Sequence, residues 1–446
     1  MSDATKPLAV LVLAAGQGTR MKSGLAKVLH PLGGRPMLHH VLAAAEALQP
    51  ERLVTVVGRD ADAVCEAFAG RSQFVLQEQR RGTGHAVLQT ESALEGFSGD
   101  VLVLYGDTPL LTAETLRRLQ EHKRATQADL VLLSAAVDVP GIVLRDASGA
   151  LAGVVEATDA SPEELGIEER NTGVYLVDRD VLWKSLAQVG QDNAQGEVYL
   201  TTVVEILLRE GRQVEVLRIE DDDEGIGIND RVDLARAEAA LRTRTLNRLM
   251  REGVTIVDPA NTAVDVDVSV GRDTRIEPGS VIQGATRIGE RCHVKPGCVI
   301  EESVLGDDVV VGPSAHLRPG CALGDGVRIG NFVEVKNANL GAGVKADHLS
   351  YIGDADVGDG ASFGCGAITV NYDWKKKHRT TVGAGAVVGC NANLVAPVRV
   401  GRNASIAAGS TITKDVPDGS LAVARARGQK HVDGWSRRKR PEEKLD

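Results

Sequence analysis

Gly16-Gln17-Gly18-Thr19-Arg20-Met21, with Lys27 six residues further on, is a stretch whose residue types suit an anion. Two glycines let the main chain approach a phosphate, exposed N–H groups can cradle its oxygens, and Arg20 and Lys27 can offset its charge. Two commoner phosphate loops are excluded. Met21 stands where the dinucleotide fingerprint needs its third glycine, and no Gly-Lys-Ser/Thr follows as in a P-loop. A second chemically able group is His348, between Asn331 and Tyr351. An imidazole exchanges protons near neutral pH, although a solvated corner histidine is the ordinary alternative. A third stretch, Asn371 to Arg379 (NYDWKKKHR), joins two aromatics to a basic cluster. It reads either as a binding loop or as a solvated excursion.

These groups need scaffolds, and the chain offers two. From Val10 to about Ile228, apolar runs (LAVLVLAAG, RLVTVVG, DVLVLYGD, ADLVLLSAA) alternate with helix-like segments such as MLHHVLAAAEAL and GTGHAVLQTESALEG. That alternation predicts an α/β domain, a mostly parallel sheet covered on both faces, with ligands at the carboxyl ends of the strands. Asp230 to about Arg251 lacks glycine and proline and reads as one connecting helix, stopped by Gly253. Beyond it the period changes to six. Val264, Val270, Ile276, Ile282, Ile288, Val294 and Ile300 keep this spacing; after a one-residue slip Leu305 to Val335 continue it. Val382 to Ile412 resume it past the break at Asn371–Arg379. An aliphatic residue every six positions, often followed by glycine, predicts a parallel β-helix with three hexads per triangular coil.

Composition sets the class. The chain has 446 residues, 43% of them hydrophobic, enough for two or more packed domains. Its formal charge of −10 argues against broad nucleic-acid binding and leaves room for an anionic substrate in a local basic pocket. No apolar run approaches the roughly 20 residues of a membrane-spanning helix, and the N-terminal apolar stretch reads as a buried strand rather than a secretory signal. Six scattered cysteines without a Cys-x-x-Cys pair point to reduced thiols in the cytoplasm.

LAAGQGTRM and AKVLHPLGGRPM resemble the signature of sugar-1-phosphate nucleotidyltransferases. Gln77 with Gly82-Thr83-Gly84-His85-Ala86, Tyr105-Gly106-Asp107-Thr108-Pro109-Leu110 and Asn171-Thr172-Gly173 extend the likeness. With the hexapeptide half included, the chain resembles over its whole length the bacterial bifunctional family that makes UDP-N-acetylglucosamine. In that family a glucosamine-1-phosphate N-acetyltransferase is fused to an N-acetylglucosamine-1-phosphate uridyltransferase. The implied fold is a Rossmann-like nucleotidyltransferase domain (1–229), a linker helix (230–251) and a left-handed parallel β-helix (252–446).

The resemblance implies Mg²⁺ on Asp107 and Asn229. Asp107 ends a buried apolar run, where a carboxylate is costly unless paired or metal-bound. UTP and its product would be read by Leu13, Ala14, Ala15, Gly16, Lys27, Gln77, Gly82, Thr83, Tyr105 and Gly106, and the sugar side by Gly141, Glu156 and Asn171. Arg20 and Lys27 would neutralise charge at the reacting phosphorus. In the second half, His348 matches the family's general base, with Glu334 as a neighbour able to orient it. Arg318 and Lys336 would hold the phosphate of glucosamine-1-phosphate, with Tyr351 and Ser362 on the sugar. Cys365, Asn371, Tyr372, Cys390, Ala408 and Arg425 match positions that contact acetyl-CoA, and the tail Arg437-Arg438-Lys439-Arg440 is either a partner for its phosphates or a solvated terminus. The family's hexapeptide domains imply a homotrimer, with His348 and the residues holding acetyl-CoA drawn from different chains.

Some positions depart from the pattern. Ala26 replaces a proline before Lys27, the stretch around Gly141 is shortened, and Thr202 stands for an aspartate. Ser362 and Cys390 replace an asparagine and a serine. Two rival readings remain at this level: a nucleotidyltransferase whose β-helix is only structural, and a non-catalytic sugar-nucleotide sensor.

Overall fold

Leu8–Ala14, the first strand (β1), is buried from end to end. Its alternate residues enter different cores: Leu8, Val10, Val12 and Ala14 join one apolar cluster, Ala9, Leu11 and Leu13 the other. An unbroken apolar run is what a strand covered on both faces requires. The computed structural model describes residues 6–58, 61–190, 196–426, 428–429 and 431, so the basic tail at 437–440 lies outside the described residues. The chain divides into two compact units, Met1–Thr243 and Arg244–Asp446.

In the first unit β1 lies between two parallel neighbours, Arg52–Val57 and Asp100–Tyr105, and Gln73–Leu76 extends the sheet on one side. On the other side Arg170–Asp178 runs antiparallel between Asp100–Tyr105 and Leu130–Ala135. A hairpin, Gly141–Arg145 with Leu151–Glu156, attaches to that antiparallel strand. The sheet is therefore mixed at its far side, where the sequence pattern implied mostly parallel strands. One anticipated helix also breaks: Thr83–Leu88 is helical, and a separate turn at Ser92–Leu94 follows.

The second unit contains three parallel sheets, of ten, nine and eight strands among the described residues, in which each strand pairs with the third one after it, except that Ser405–Ile406 pairs with Leu421–Ala422, two strands on. Val294, Val311, Ile329, Ala346, Phe363, Val388 and Ile406 form one inward column. Two residues before each of them the corner is filled by a buried small or branched side chain, Cys292, Val309, Val327, Val344, Ala361, Ala386 and Ala404. Cys298 and Cys321 fill equivalent corners, and burial raises the pKa of all three of these thiols. The period also continues where aliphatic spacing alone had lost it, through buried Leu340, Ala346, Ile352, Val357, Phe363 and Thr369.

The helix Arg231–Arg251 crosses the division between the units. Leu234, Ala237, Ala240 and Leu241 pack with Leu32, Met37, Leu110 and Ile228, whereas Leu246 and Leu249 belong to the β-helix core. Gly253, at φ +100, turns the chain out of the helix. Among the described residues no helix is long and apolar enough to cross a membrane.

Candidate functional site

Adjacent strand ends build the first constellation. Gly106 N–H donates to Leu13 O (2.9 Å), fixing the end of Asp100–Tyr105 beside the end of β1 and delivering Asp107 to the edge of the sheet. Ile228 N–H then donates to Asp107 O (2.9 Å), which brings Asn229 alongside. Lys27 Nζ lies 2.5 Å from Asp107 Oδ2 and 3.1 Å from Asn229 Oδ1, and Arg20 Nη2 donates to that same amide oxygen at 2.9 Å. Lys27 is only 8% exposed. Gly18 makes this approach possible: its φ is +61, and a Cβ there would stand 2.6 Å from Lys27 Cβ. Arg20, Lys27, Asp107 and Asn229, far apart in sequence, thus meet at one point.

The neighbouring loop is fastened by its own polar groups. Gln77, buried, donates from Nε2 to Gly82 O (3.2 Å) and lies 3.0 Å from His85 Nδ1. Gly82, at φ +104, packs against the main chain of Val198, where a Cβ would come within 2.5 Å of the carbonyl oxygen. Thr83 Oγ1 accepts from Leu200 N–H (3.1 Å). A cavity of about 500 Å³ opens here between Gln17, Gly58, Leu76, Gln77 and Arg80, within the range of small-molecule sites.

Gly141 pairs with Glu156 across the hairpin, and a Cβ on Gly141 would sit 3.1 Å from Asn171 Cβ, so these three residues converge despite the shortened loop. Burial raises the pKa of Glu156, against a hydrogen bond from Thr201 Oγ1 at 3.1 Å. Thr201, rather than the departing Thr202, is the residue that touches this carboxylate. Tyr105 lies across Gly173, whose missing side chain leaves room for the ring. Burial raises the pKa of the Tyr105 hydroxyl.

In the second unit Arg318, Lys336 and Tyr351 share one outer sheet face, since His316 pairs with Glu334 and Glu334 with Tyr351. Tyr351 lies over Gly353, which has no side chain to obstruct it, and its hydroxyl accepts from Asn371 Nδ2 (3.2 Å). Asp354, buried, accepts from Asn371 Nδ2 (2.5 Å) and Asn337 Nδ2 (2.6 Å), so it anchors the base of the ejected loop. Lys377, from that loop, lies against Lys336 and is the largest cause of its lowered pKa; burial adds to the effect, as does Arg318, while Asp354 opposes it. Arg318, Lys336 and Lys377 thus gather on one face, with the Glu334 carboxylate on Arg318 at 2.9 Å. Ser362 is not part of this group; it pairs with Lys345 on the adjoining sheet.

His348 ends the strand Lys345–His348 of that adjoining sheet, exposed, with Nδ1 2.9 Å from Asn331 Oδ1. Asn331 is its register partner one coil earlier. Glu334 does not orient the imidazole, as its carboxylate is taken by Arg318 Nη1 at 2.9 Å. Counting one coil back from His348 would have found Asn331; sequence proximity found the wrong residue. Lys377 and Asp354 were also missed as individuals, because only the folded coil brings them to the face of Lys336.

From His348 one edge of the prism climbs through Cys365, Cys390 and Ala408. Asn391 N–H donates to Cys365 O and Gly409 N–H to Cys390 O, both at 2.8 Å, and Arg425 Nη1 donates to Ala408 O at 2.7 Å. Both cysteines are exposed. Asn371 and Tyr372 lie instead past the strand Ile368–Val370, at the next corner.

Comparisons with known proteins match both units. Residues 10–194 match the MobA-like NTP transferase domain, and 267–302, 302–337 and 379–414 match the bacterial transferase hexapeptide (six repeats). The bifunctional protein GlmU of Exiguobacterium sp. is 49% identical over 447 residues, covering 96% of this chain and 99% of that relative. That of Trichlorobacter lovleyi is 47% identical over 454 residues, covering 97% and 98%. The chain belongs to the GlmU family. Like those GlmU proteins it is a bifunctional enzyme, a nucleotidyltransferase joined to an acyltransferase, and its prism is the left-handed β-helix of hexapeptide repeats.

The chain gathers no cluster of three or more His, Cys, Asp or Glu side chains able to hold a metal, among the described residues. Its candidate metal site is leaner: one carboxylate oxygen and one amide oxygen that converge on a single cation, the Lys27 ammonium. Two hard oxygens beside a glycine-containing loop fit Mg²⁺, which takes one or two protein ligands and leaves the rest to water and substrate phosphates.

Proposed function

We propose that this enzyme makes UDP-N-acetylglucosamine in two steps, one on each unit, with 1–229 and 252–446 as the working domains and 230–251 between them. In the β-helix, the amine of glucosamine-1-phosphate attacks the thioester of acetyl-CoA. Arg318, Lys336 and Lys377 hold the phosphate, and Tyr351 contacts the sugar. Asn331 Oδ1 accepts from Nδ1–H of His348, leaving the Nε2 lone pair to take the proton as the C–N bond forms and coenzyme A leaves as the free thiol. Cys365, Cys390, Ala408 and Arg425 line the acetyl-CoA side. Asn371 and Tyr372 lie at a different corner, which supports a homotrimer in which two chains complete each site.

In the first unit, a phosphate oxygen of N-acetylglucosamine-1-phosphate attacks the α-phosphorus of UTP and pyrophosphate leaves. The nucleophile is already anionic, so alignment and charge neutralisation carry the rate. Leu13 to Gly16, Gln77, Gly82 and Thr83 seat the nucleotide, with Tyr105 and Gly106 beside the phosphates. Gly141, Glu156 and Asn171 hold the sugar. Arg20 and Lys27 offset charge on the phosphates, and Mg²⁺ held by Asp107 and Asn229 would supply further neutralisation when bound. Six free thiols accord with a reducing cytoplasm.

The observation that carries this reading is that each unit gathers cations of its own: Arg20 and Lys27 with the Asp107–Asn229 pair, and Arg318, Lys336 and Lys377 in the unit that holds His348. The test is to supply glucosamine-1-phosphate, acetyl-CoA, UTP and Mg²⁺ and follow thiol and pyrophosphate separately. Thiol is expected with the first two substrates alone. Absence of thiol, or pyrophosphate release equally fast with any sugar phosphate, contradicts it.

A further inference from the structure

We propose that Trp374 is a stacking platform for the adenine of the acyl donor, with Lys375 and Lys376 facing its phosphates. This rests on the reading of the β-helix unit as an acetyl-CoA-dependent transferase and adds to it a residue outside the matched positions.

Trp374 is 88% exposed, in a chain where aromatics are 3% of residues. Its φ is +72, a region that bulky residues rarely adopt. Such a conformation persists only where the surroundings enforce it, and here they do. Asp373 accepts from Lys375 N–H (2.9 Å), Lys376 N–H (2.7 Å) and His378 Nε2 (2.6 Å), and His378 N–H donates to Asn371 O (2.7 Å). The base of the loop is held by Asn371 on Asp354. A braced loop therefore presents an indole to solvent instead of tucking it into the protein.

Its neighbours indicate what it meets. The Tyr372 ring, 49% exposed, lies 6.2 Å from the indole at a tilt of 60°, so two aromatic surfaces share one side of the loop. Lys375, Lys376 and Lys377 follow, all exposed. Lys377 is engaged at the Lys336 cluster, which leaves Lys375 and Lys376 beside the aromatics. A planar base carrying phosphates complements both features, and base–aromatic stacking is a recurrent way for proteins to hold nucleotides. Among the substrates, the adenosine end of coenzyme A has that chemistry and reaches well away from the thioester.

The experiment is calorimetric titration of the full-length protein with coenzyme A and, separately, adenosine 3′,5′-bisphosphate. Trp374→Ala is expected to weaken both by roughly 5- to 150-fold, the range of one lost base–aromatic stack. Trp374→Phe should recover most of the loss. Glucosamine-1-phosphate affinity and the mass in sedimentation should not change. Wild-type affinity for both ligands in Trp374→Ala overturns the proposal, as does a loss accompanied by a fall in assembly mass, which would make Trp374 a contact between copies. Failure of the wild type to bind coenzyme A overturns the acetyltransferase reading as well.

Discussion

Lys27 Nζ lies 2.5 Å from Asp107 Oδ2, and the same ammonium reaches Asn229 Oδ1 at 3.1 Å. The lysine thus offsets the Asp107 carboxylate and donates to the Asn229 amide, the two groups proposed for the metal, in a place where an unpaired carboxylate would be costly. Asp107→Asn keeps the shape and removes the charge. Pyrophosphate release should fall at least about 100-fold, on the scale of losing one preorganised electrostatic contact, while thiol release stays within twofold. Gly18→Ala should damage the same activity, because its new Cβ would press on Lys27 Cβ at 2.6 Å.

His348→Ala should lower acetyl transfer by about 10²- to 10⁴-fold, the usual contribution of a general base, with pyrophosphate release from supplied N-acetylglucosamine-1-phosphate intact. Asn331→Ala should cost less, about tenfold in kcat, with little change in KM, since it positions the imidazole without touching substrate. Loss of both activities in a folded His348 variant would contradict the assignment.

Crowding by Lys377, with burial and Arg318, lowers the pKa of Lys336. Like charges disfavour the protonated form, so Lys336 gives up its charge at a lower pH than an ordinary lysine. KM for glucosamine-1-phosphate should therefore rise with pH before the ordinary lysine range of about 10.4 is reached. In Lys377→Ala that limb should move to higher pH, although KM at neutral pH worsens. Initial rates between pH 7 and pH 10 would decide the matter.

Burial raises the pKa of Glu156. A carboxyl with a folded-state pKa above its unfolded value favours the fold most below the unfolded pKa, and that contribution is lost as pH rises through the folded value. Glu156→Gln should accordingly raise Tm at pH 7 to 8 and give no gain at pH 4, while weakening the sugar side of uridyl transfer. A thermal scan at both pH values separates this from a general effect on packing.

Gly353→Ala would place a Cβ against the Tyr351 hydroxyl. Tyr351 must then swing away and lose its bond from Asn371. KM for glucosamine-1-phosphate should rise by roughly 3- to 10-fold, about the value of one net hydrogen bond, with pyrophosphate release unaffected.

Much of this was legible in the sequence. The doubly buried strand showed as LAVLVLA, and the prism as aliphatics six apart, because each element's burial sets a simple period. The signal failed where Ala346 and Thr369 occupy inward positions, since a small or polar residue fills the column without marking it. The candidate residues of the first unit were named from motifs, yet their meeting depends on strand ends and on the Ile228–Asp107 bond. The Glu334 assignment erred because neighbours in a β-helix are one coil apart, not three or four residues. Asp354 and Lys377 were hidden for the same reason, being joined to the Lys336 face by the turn of the coil and the return of the loop.

The most direct test follows thiol and pyrophosphate in parallel for Asp107→Asn and His348→Ala, each added alone and then mixed, with glucosamine-1-phosphate, acetyl-CoA, UTP and Mg²⁺. Asp107→Asn should release thiol only, His348→Ala should release neither product from glucosamine-1-phosphate, and the mixture should restore both. If the mixture stays without pyrophosphate, or if either variant alone yields both products at the wild-type rate, the two reactions do not reside on separate units.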